Sequence, residues 1–208
     1  MKRISELVGF SIFLAIVCQS IFAYEIDTHA RLSEASAANS VLKKDATLLK
    51  DLGLTAADKF KNSDGKDKVI ELLIADGSRF EDGLKSDCET RPKHHFYDPV
   101  RHRGLSKGLF FQGERSPDWA LEDEGEFFGG SLSSRQNYSI KDARDYLYMA
   151  LTTSSPADRD KFFGLTFQTL GHVVHHVQDM AQPQHVRNDI HLIAGEDCTK
   201  AEKAIIAL

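Results

Sequence analysis

The stretch from Leu170 to His191, LGHVVHHVQDMAQPQHVRNDIH, constrains this chain more than any other, because it holds five of the nine histidines, with Asp179 among them and Pro183 cutting through. On a helix of 3.6 residues per turn, His175 and Asp179 leave the same face one turn from each other and can grip one cation. Pro183 has no backbone N–H and disfavours helix at the residue before it. The helix is therefore expected to end near Gln182 and to hand His185 to the following turn, in reach of a second ion. The plainer account is a set of packing or surface histidines. Against it stands the count: an imidazole buried without a partner leaves a polar group unpaired, and five around one inward aspartate are hard to explain as packing. His172 and His176 share a face four apart and fit better as supporting or packing residues than as ligands.

A chain of 208 residues is long enough for one domain with a sizeable core and short for two. Residues 1–23 open with Lys2 and Arg3, continue through an apolar run from Leu7 to Cys18 and end in Ser20-Ile21-Phe22-Ala23, the charged, apolar, small-residue order of a secretory signal. Cleavage is expected after Ala23. That leaves 24–208 as an exported domain, periplasmic or secreted, with no later segment able to span a bilayer. Loss of Lys2, Arg3 and Glu6 takes the 26 basic and 31 acidic residues to 24 and 30, a net charge of −6. Such a surface argues against stable nucleic-acid binding, though not against an enzyme that cuts nucleic acid at a metal site. Cys18 leaves with the signal, and Cys88 and Cys198 can form one bridge in an oxidising compartment.

The rest of the chain reads as helices, and the fold class expected is all-α. The alanine-rich ARLSEASAA predicts a helix from about His29 to Asn39, and leucines and lysines at helical spacing predict another from Val41 to Leu52, stopped by Gly53. Lys59 to Gly65 reads as a polar turn, and Lys68 to Ala75 as an apolar-rich helix closing at Gly77. Pro99 imposes an extended or turn conformation on Asp98, so His94 to Pro99 reads as a loop that presents His95, neither strand nor helix. Residues 101–137, rich in Gly, Ser and Phe, read as a long ordered loop or a partly mobile lid. Ser139, with Asp142 three residues on, predicts a capped helix through Leu151, and Ser155-Pro156 the start of the long histidine-bearing helix. No period-2 alternation points to a strand. The closing TKAEKAIIAL is helix-like and stops without a cap, as in a truncated product.

His175, Asp179 and His185 are spaced as a histidine, three residues, an aspartate, five residues and a histidine, with Gln182-Pro183 before the last. This resembles the signature of the zinc-dependent bacterial phospholipases C and of the fungal single-strand nucleases that share their fold. Other pieces follow in that family's order: a processed N-terminus with a histidine five residues on (Tyr24, His29), a glycine-to-aspartate segment (Gly77 to Asp82) and a His-Phe-Tyr-Asp-Pro loop (His95 to Pro99). The resemblance implies a single multi-helix domain over 24–208 with up to three zinc ions. Asp82, His95, His175 and Asp179 would hold one; the α-amino and carbonyl groups of Tyr24, with His29 and a bridging Asp179, the second; His185 with a further histidine and carboxylate, the third. Tyrosine stands where the family usually has tryptophan, with the same backbone donors. The third set departs further, since His191 follows His185 by only six residues, with Glu196 and Glu202 as the acids and Glu202 the expected ligand. Asp76 competes with Asp82 for the acidic role. Asp82, 13 residues before His95 and five after Gly77, is closer to the phospholipase arrangement.

The activity so implied is hydrolysis of a phosphodiester substrate, either a phospholipid or a nucleotide or single-stranded nucleic acid. Clustered zinc binds phosphate oxygens and lowers the pKa of bound water toward about 7, and Asp82 orients or deprotonates that water as the catalytic residue. The His-Phe-Tyr-Asp-Pro loop and the acidic surface favour a phospholipase C; the Tyr24 to His29 spacing favours a nuclease. A non-catalytic zinc-binding protein of the periplasm is the reading from another class, supported by the departure at the third site. If ligands from separate segments converge, the segments holding Cys88 and Cys198 are neighbours, and a disulfide between them is expected.

Overall fold

The computed structural model of the protein describes residues 26–83, 91–107, 111–121 and 137–189. Among them are eight α-helices: α1 (Ile26–Asn39), α2 (Val41–Lys44), α3 (Ala46–Asp51), α4 (Ile70–Gly83), α5 (Ser116–Leu121), α6 (Ile140–Thr152), α7 (Pro156–Asp179) and α8 (Pro183–Arg187), with a 3-10 turn at Arg91–His95. The molecule is mostly helical, and two small antiparallel hairpins correct the expectation of no strand. β1 (Lys59–Lys61) pairs with β2 (Asp67–Val69), Lys59 opposite Val69, and β3 (Ser106–Lys107) pairs with β4 (Phe111–Gln112). Strands of two or three residues are too short to show alternation. The one trace in β1 is Phe60, buried between two exposed lysines. Asn62 closes the first hairpin, its Oδ1 accepting from the N–H groups of Asp64 and Lys66 at 3.0 and 2.9 Å, with Gly65 at a φ of 75°.

α7 is the axis of the fold. The Ser155 side chain accepts from the Asp158 N–H, and Pro156 occupies the first turn, where its missing donor costs nothing. The N-terminal half of α7 buries Phe163 and Phe167 against Phe60, at centroid separations of 5.6 and 6.4 Å, beside Leu54, Ile70 and Leu73. Each buried phenyl contributes roughly 2 to 3 kcal/mol. α4 and α6 pack along α7, and α1 lies against α4.

α4 runs past Gly77, where the sequence suggested a stop. A Cβ at Gly77 would stand 1.8 Å from the Gln168 carbonyl oxygen, and one at Gly171 2.1 Å from that of Ile74. The two helices thus cross backbone to backbone, and Gly77 serves contact instead of termination. The extra turn and a half carries Glu81 and Asp82 alongside the C-terminal half of α7.

Three further boundaries differ from expectation. α7 ends at Asp179, earlier than Gln182, because Pro183 does more than block it: Pro183 starts α8 from a Gln182 N-cap in extended conformation, so His185 rides on a short helix and not a turn. His95 closes the 3-10 turn, while Asp98 forms an isolated bridge with Arg103. The helix expected over 41–52 breaks at Asp45, which caps α3 by accepting from the Thr47 N–H at 3.0 Å. Residues 101–137 contain β3, β4 and α5, so their described part is more regular than a loop. Buried Asn188, left-handed at a φ of 62°, ends α8 and ties it to the preceding loop, donating to the Gly104 carbonyl at 3.1 Å. Among the described residues no helix is long and apolar enough to cross a membrane.

Candidate metal centre

Neighbouring residues on an α-helix project about 100° apart. Where α4 faces α7 this sorts the side chains into two buried clusters, Asp82 with His175 and Asp179 in one, Glu81 with His172 and His176 in the other. His95, arriving on the 3-10 turn, stands between them.

In the first cluster, His95 Nδ1 lies 3.2 Å from Asp82 Oδ1 and 3.4 Å from Asp179 Oδ2, and His175 Nε2 lies 3.6 and 3.2 Å from the same two oxygens. A tetrahedral ion with N and O ligands at about 2.0 to 2.1 Å has ligand-to-ligand edges of about 3.3 to 3.4 Å; the four contacts are close to that, and His95, His175 and Asp179 form one grouping that could hold an ion. All four residues are at most 5% exposed, and among the described residues both His95 nitrogens, His175 Nε2 and both Asp179 oxygens have no hydrogen-bond partner. Buried polar atoms left so are costly, and a cation among them removes the cost. The other Asp179 oxygen, Oδ1, faces His29 Nε2 at 3.5 Å, so the carboxylate looks toward two positions at once. His29, Asp82 and His175 form a second grouping that could hold an ion.

The far nitrogens are anchored. His175 Nδ1 donates to the Ser78 carbonyl at 2.8 Å, and His29 Nδ1 donates to Gln178 Oε1 at 2.7 Å, itself held by donation from Gln178 Nε2 to Ser33 Oγ at 2.8 Å. A carbonyl can only accept, so these contacts fix the tautomer and leave each Nε2 as a lone-pair donor pointing inward. α1 is there to carry His29, which also stacks on His175 at 3.9 Å.

Charge follows the same division. Burial opposes protonation of His95, but Asp179, Asp82 and Glu81 outweigh it and push its pKa up to about 10. His175 is raised as well, burial again opposing Asp179 and Asp82. Burial also resists the charge on Asp179 and Asp82, yet the surrounding imidazoles hold Asp179 well below the usual carboxylate range and lower Asp82 too. His29, held neutral by burial and by the nearby His175, drops to about 4. The carboxylates therefore stay ionised and compete for whatever cation, proton or metal, lies between them.

In the second cluster the Glu81 carboxylate is satisfied from within, while His172 Nε2 has no hydrogen-bond partner among the described residues. Glu81 Oε2 accepts from His172 Nδ1 at 2.6 Å and from Arg91 Nε at 3.2 Å; Oε1 accepts from His176 Nε2 at 3.0 Å and from Trp119 Nε1 at 3.4 Å. Ser116 Oγ donates to His176 Nδ1 at 3.0 Å. Burial opposes the Glu81 charge, but Arg91 and the imidazoles of His176 and His172 hold its carboxyl well below the usual range. Sequence reasoning set His172 and His176 apart from the ligands but missed their partner Glu81, and with it Arg91 and Trp119. The available signal was a pair of histidines one turn apart, which need a buried acid opposite.

Of the residues singled out in the sequence, His29, Asp82, His95, His175 and Asp179 come together from α1, α4, the 3-10 turn and α7. Asp76 faces elsewhere, accepting from Asn62 Nδ2 at 2.8 Å and pairing with Lys68 at 3.5 Å. His185 borders the cluster, its Nδ1 3.4 Å from Asp179 Oδ1, but that nitrogen donates to the His95 carbonyl at 2.9 Å. Tyr24, His191, Glu202, Cys88, Cys198 and residues 1–23 lie outside the described residues. Comparison with known proteins brings no relative to bear: no family model, no curated protein and no solved structure matches the chain.

Proposed function

We propose that the protein is a zinc-dependent phosphoric ester hydrolase, with Asp82, His95, His175 and Asp179 holding one ion and His29 with Asp179 contributing to a second. The observation that carries this reading is the pair of buried groupings, His95 with His175 and Asp179 and His29 with Asp82 and His175, whose facing N and O atoms stand 3.2 to 3.6 Å apart where measured. Nitrogen and carboxylate ligands at such spacing suit zinc. Bound zinc supplies a Lewis acid for a phosphate ester and lowers the pKa of coordinated water toward about 7. The chain's own part is geometric: anchored imidazoles keep the ligand atoms aligned, and Asp82 combines a ligand position with the basic oxygen suited to orienting a water. The likeness of His175 to His185 and of His95 to Pro99 to the phospholipase C signature supports a phosphodiester as substrate, a phospholipid first and a single-stranded nucleic acid or nucleotide second. Export, processing after Ala23 and a chelating Tyr24 belong to the same proposal.

Burial of the cluster favours a second reading, a non-catalytic zinc-binding protein, since His95, His175 and Asp179 are each 0% exposed. One experiment separates them. Purified protein is offered a chromogenic phosphodiester with and without chelator, then phosphatidylcholine against single-stranded DNA. Chelator-sensitive turnover is expected, with phosphatidylcholine the better substrate. Zinc bound without turnover of any of the three leaves only the binder.

A further inference from the structure

Among the described imidazoles of the first cluster, His95 is the one whose far nitrogen faces a carboxylate. Its Nε2 lies 3.4 Å from Glu81 Oε1, an ion-pair distance without a formed hydrogen bond, whereas the far nitrogens of His29 and His175 hydrogen-bond an amide oxygen and a backbone carbonyl. Glu81 is 1% exposed and is held in place from four sides, by Arg91, His172, His176 and Trp119. Such a carboxylate has little freedom to turn, and His95, 0% exposed, has little room to escape it.

From this geometry we infer that Glu81 is a positioning residue for the metal centre: it holds the proton of His95 on Nε2 and so presents Nδ1, as a lone pair, to the position shared with Asp82 and Asp179. The inference rests on the metal-binding part of the function proposed above. A neutral imidazole carries one proton and offers its lone pair on the other nitrogen. With Nδ1 flanked by Asp82 and Asp179, either oxygen would draw the proton to the metal side and close the site. A fixed carboxylate at Nε2 competes for it there, and a ligating histidine backed by a carboxylate is also a stronger donor. Glu81 could instead be a ligand itself, since Glu81, His95 and His176 offer atoms close enough for an ion. Its contacts argue otherwise: Oε2 is taken by Arg91 and His172, Oε1 accepts from His176, and the Arg91 guanidinium beside it repels a second cation.

The test uses the full chain, stripped with chelator and reloaded with Zn2+ or Co2+ in competition with a chromophoric chelator. Glu81→Gln keeps the shape but not the charge. The expected result is unchanged metal stoichiometry at saturation with affinity lowered about 10- to 100-fold. Unchanged affinity overturns the inference, and so does loss of one metal equivalent, which would make Glu81 a ligand. Trp119, the only tryptophan and a neighbour of Glu81, reports folding of the variant by its fluorescence. If Glu81→Gln does not fold, 15N spectra of histidine-labelled wild-type protein with Zn2+ decide: His95 protonated at Nε2 and ligating through Nδ1 supports the inference, and the opposite tautomer overturns it. Turnover enters none of these readouts, so a chain that binds metal and hydrolyses nothing removes the hydrolase reading alone, while a wild-type chain that binds no metal removes both.

Discussion

Glu81 and Asp82 are neighbours in sequence, both buried, both facing histidines of α7, and their surroundings are opposite in kind. Around Glu81 the oxygens accept from Arg91, His172, His176 and Trp119, so the carboxylate is neutralised by protein groups. Around Asp179 the facing groups are the imidazoles of His29, His95, His175 and His185, and among the described residues neither of its oxygens has a hydrogen-bond donor. One helical step of about 100° separates a carboxylate saturated by protein donors from a cluster whose Asp179 oxygens have no donor among the described residues. The lesson is that burial and charge alone do not mark a metal site. The mark is a group of buried acceptors and lone pairs that the protein leaves for something else to satisfy.

The sharpest way to break this contrast is to remove one acid from each side. Glu81→Ala removes the buried carboxylate paired with the Arg91 guanidinium and is expected to cost about 3 to 5 kcal/mol whether or not metal is present. Asp82→Asn leaves Asp179 to face the protonated His95, so with chelator its cost should be clearly smaller than that of Glu81→Ala, and zinc should widen its loss relative to wild type. Denaturant unfolding of both variants, each with and without chelator, checks this. Equal losses for the two in chelator would show that the clusters do not differ as described.

The helix crossing that builds both clusters should be next in size. Gly171→Ala places a Cβ 2.1 Å from the Ile74 carbonyl oxygen, and backbone cannot yield cheaply, so a loss of about 1 to 3 kcal/mol or more is expected. Weaker metal binding should accompany it, because Asp82 and His175 sit on the two helices being pushed apart. A variant with wild-type stability would mean that the helices are not in contact there.

Acid pH should then distinguish the neutral histidines from the charged ones. His29 and His172 are lowered to about 4 and His94 to about 3, chiefly by burial. The unfolded chain binds those protons more readily, near pH 6.5, so stability falls as pH drops from about 6.5 toward 4, by about 1.4 kcal/mol per pH unit for each proton taken up on unfolding. His95 acts in the reverse sense: raised to about 10, it contributes stability in chelator that is present below pH 6.5 and lost as pH rises through 10. Flat stability between pH 4 and 6.5 would contradict the burial of these rings. By the same token, zinc binding at pH 7.5 should release at least about one proton per chain, because a protonated His95 must give one up to become a ligand. Calorimetry in buffers of different ionisation enthalpy measures it, and no release would contradict the placement of His95 between the carboxylates.

Much of this was legible in the sequence, and what was missed has definite physical causes. The i, i+4 pair His175 and Asp179, the Ser139 and Ser155 caps and the mostly helical character follow from local periodicity and capping chemistry. Asp82, and the ligand roles of His29 and His95 toward Asp179, were reached through a resemblance, and only the fold shows them in one place. Gly77 misled because a glycine late in an apolar helix reads as a stop, while its use here depends on Gly171, 94 residues away. Glu81 was missed because its partners lie on three other elements, and nothing local sets it apart from a solvated acid. The hairpin at 59–69 was missed because three residues per strand leave only Phe60 to signal it.

The central claim is that the first cluster is a zinc site with Asp179 at its heart, and metal analysis tests it most directly. Full-length protein purified without chelator should carry at least about one zinc per chain, and Asp179→Asn, which keeps the volume but removes the oxygen charge facing His29, His95 and His175, should carry much less. Wild-type protein with less than about one zinc per chain, or an Asp179→Asn variant that holds as much as wild type, would contradict it.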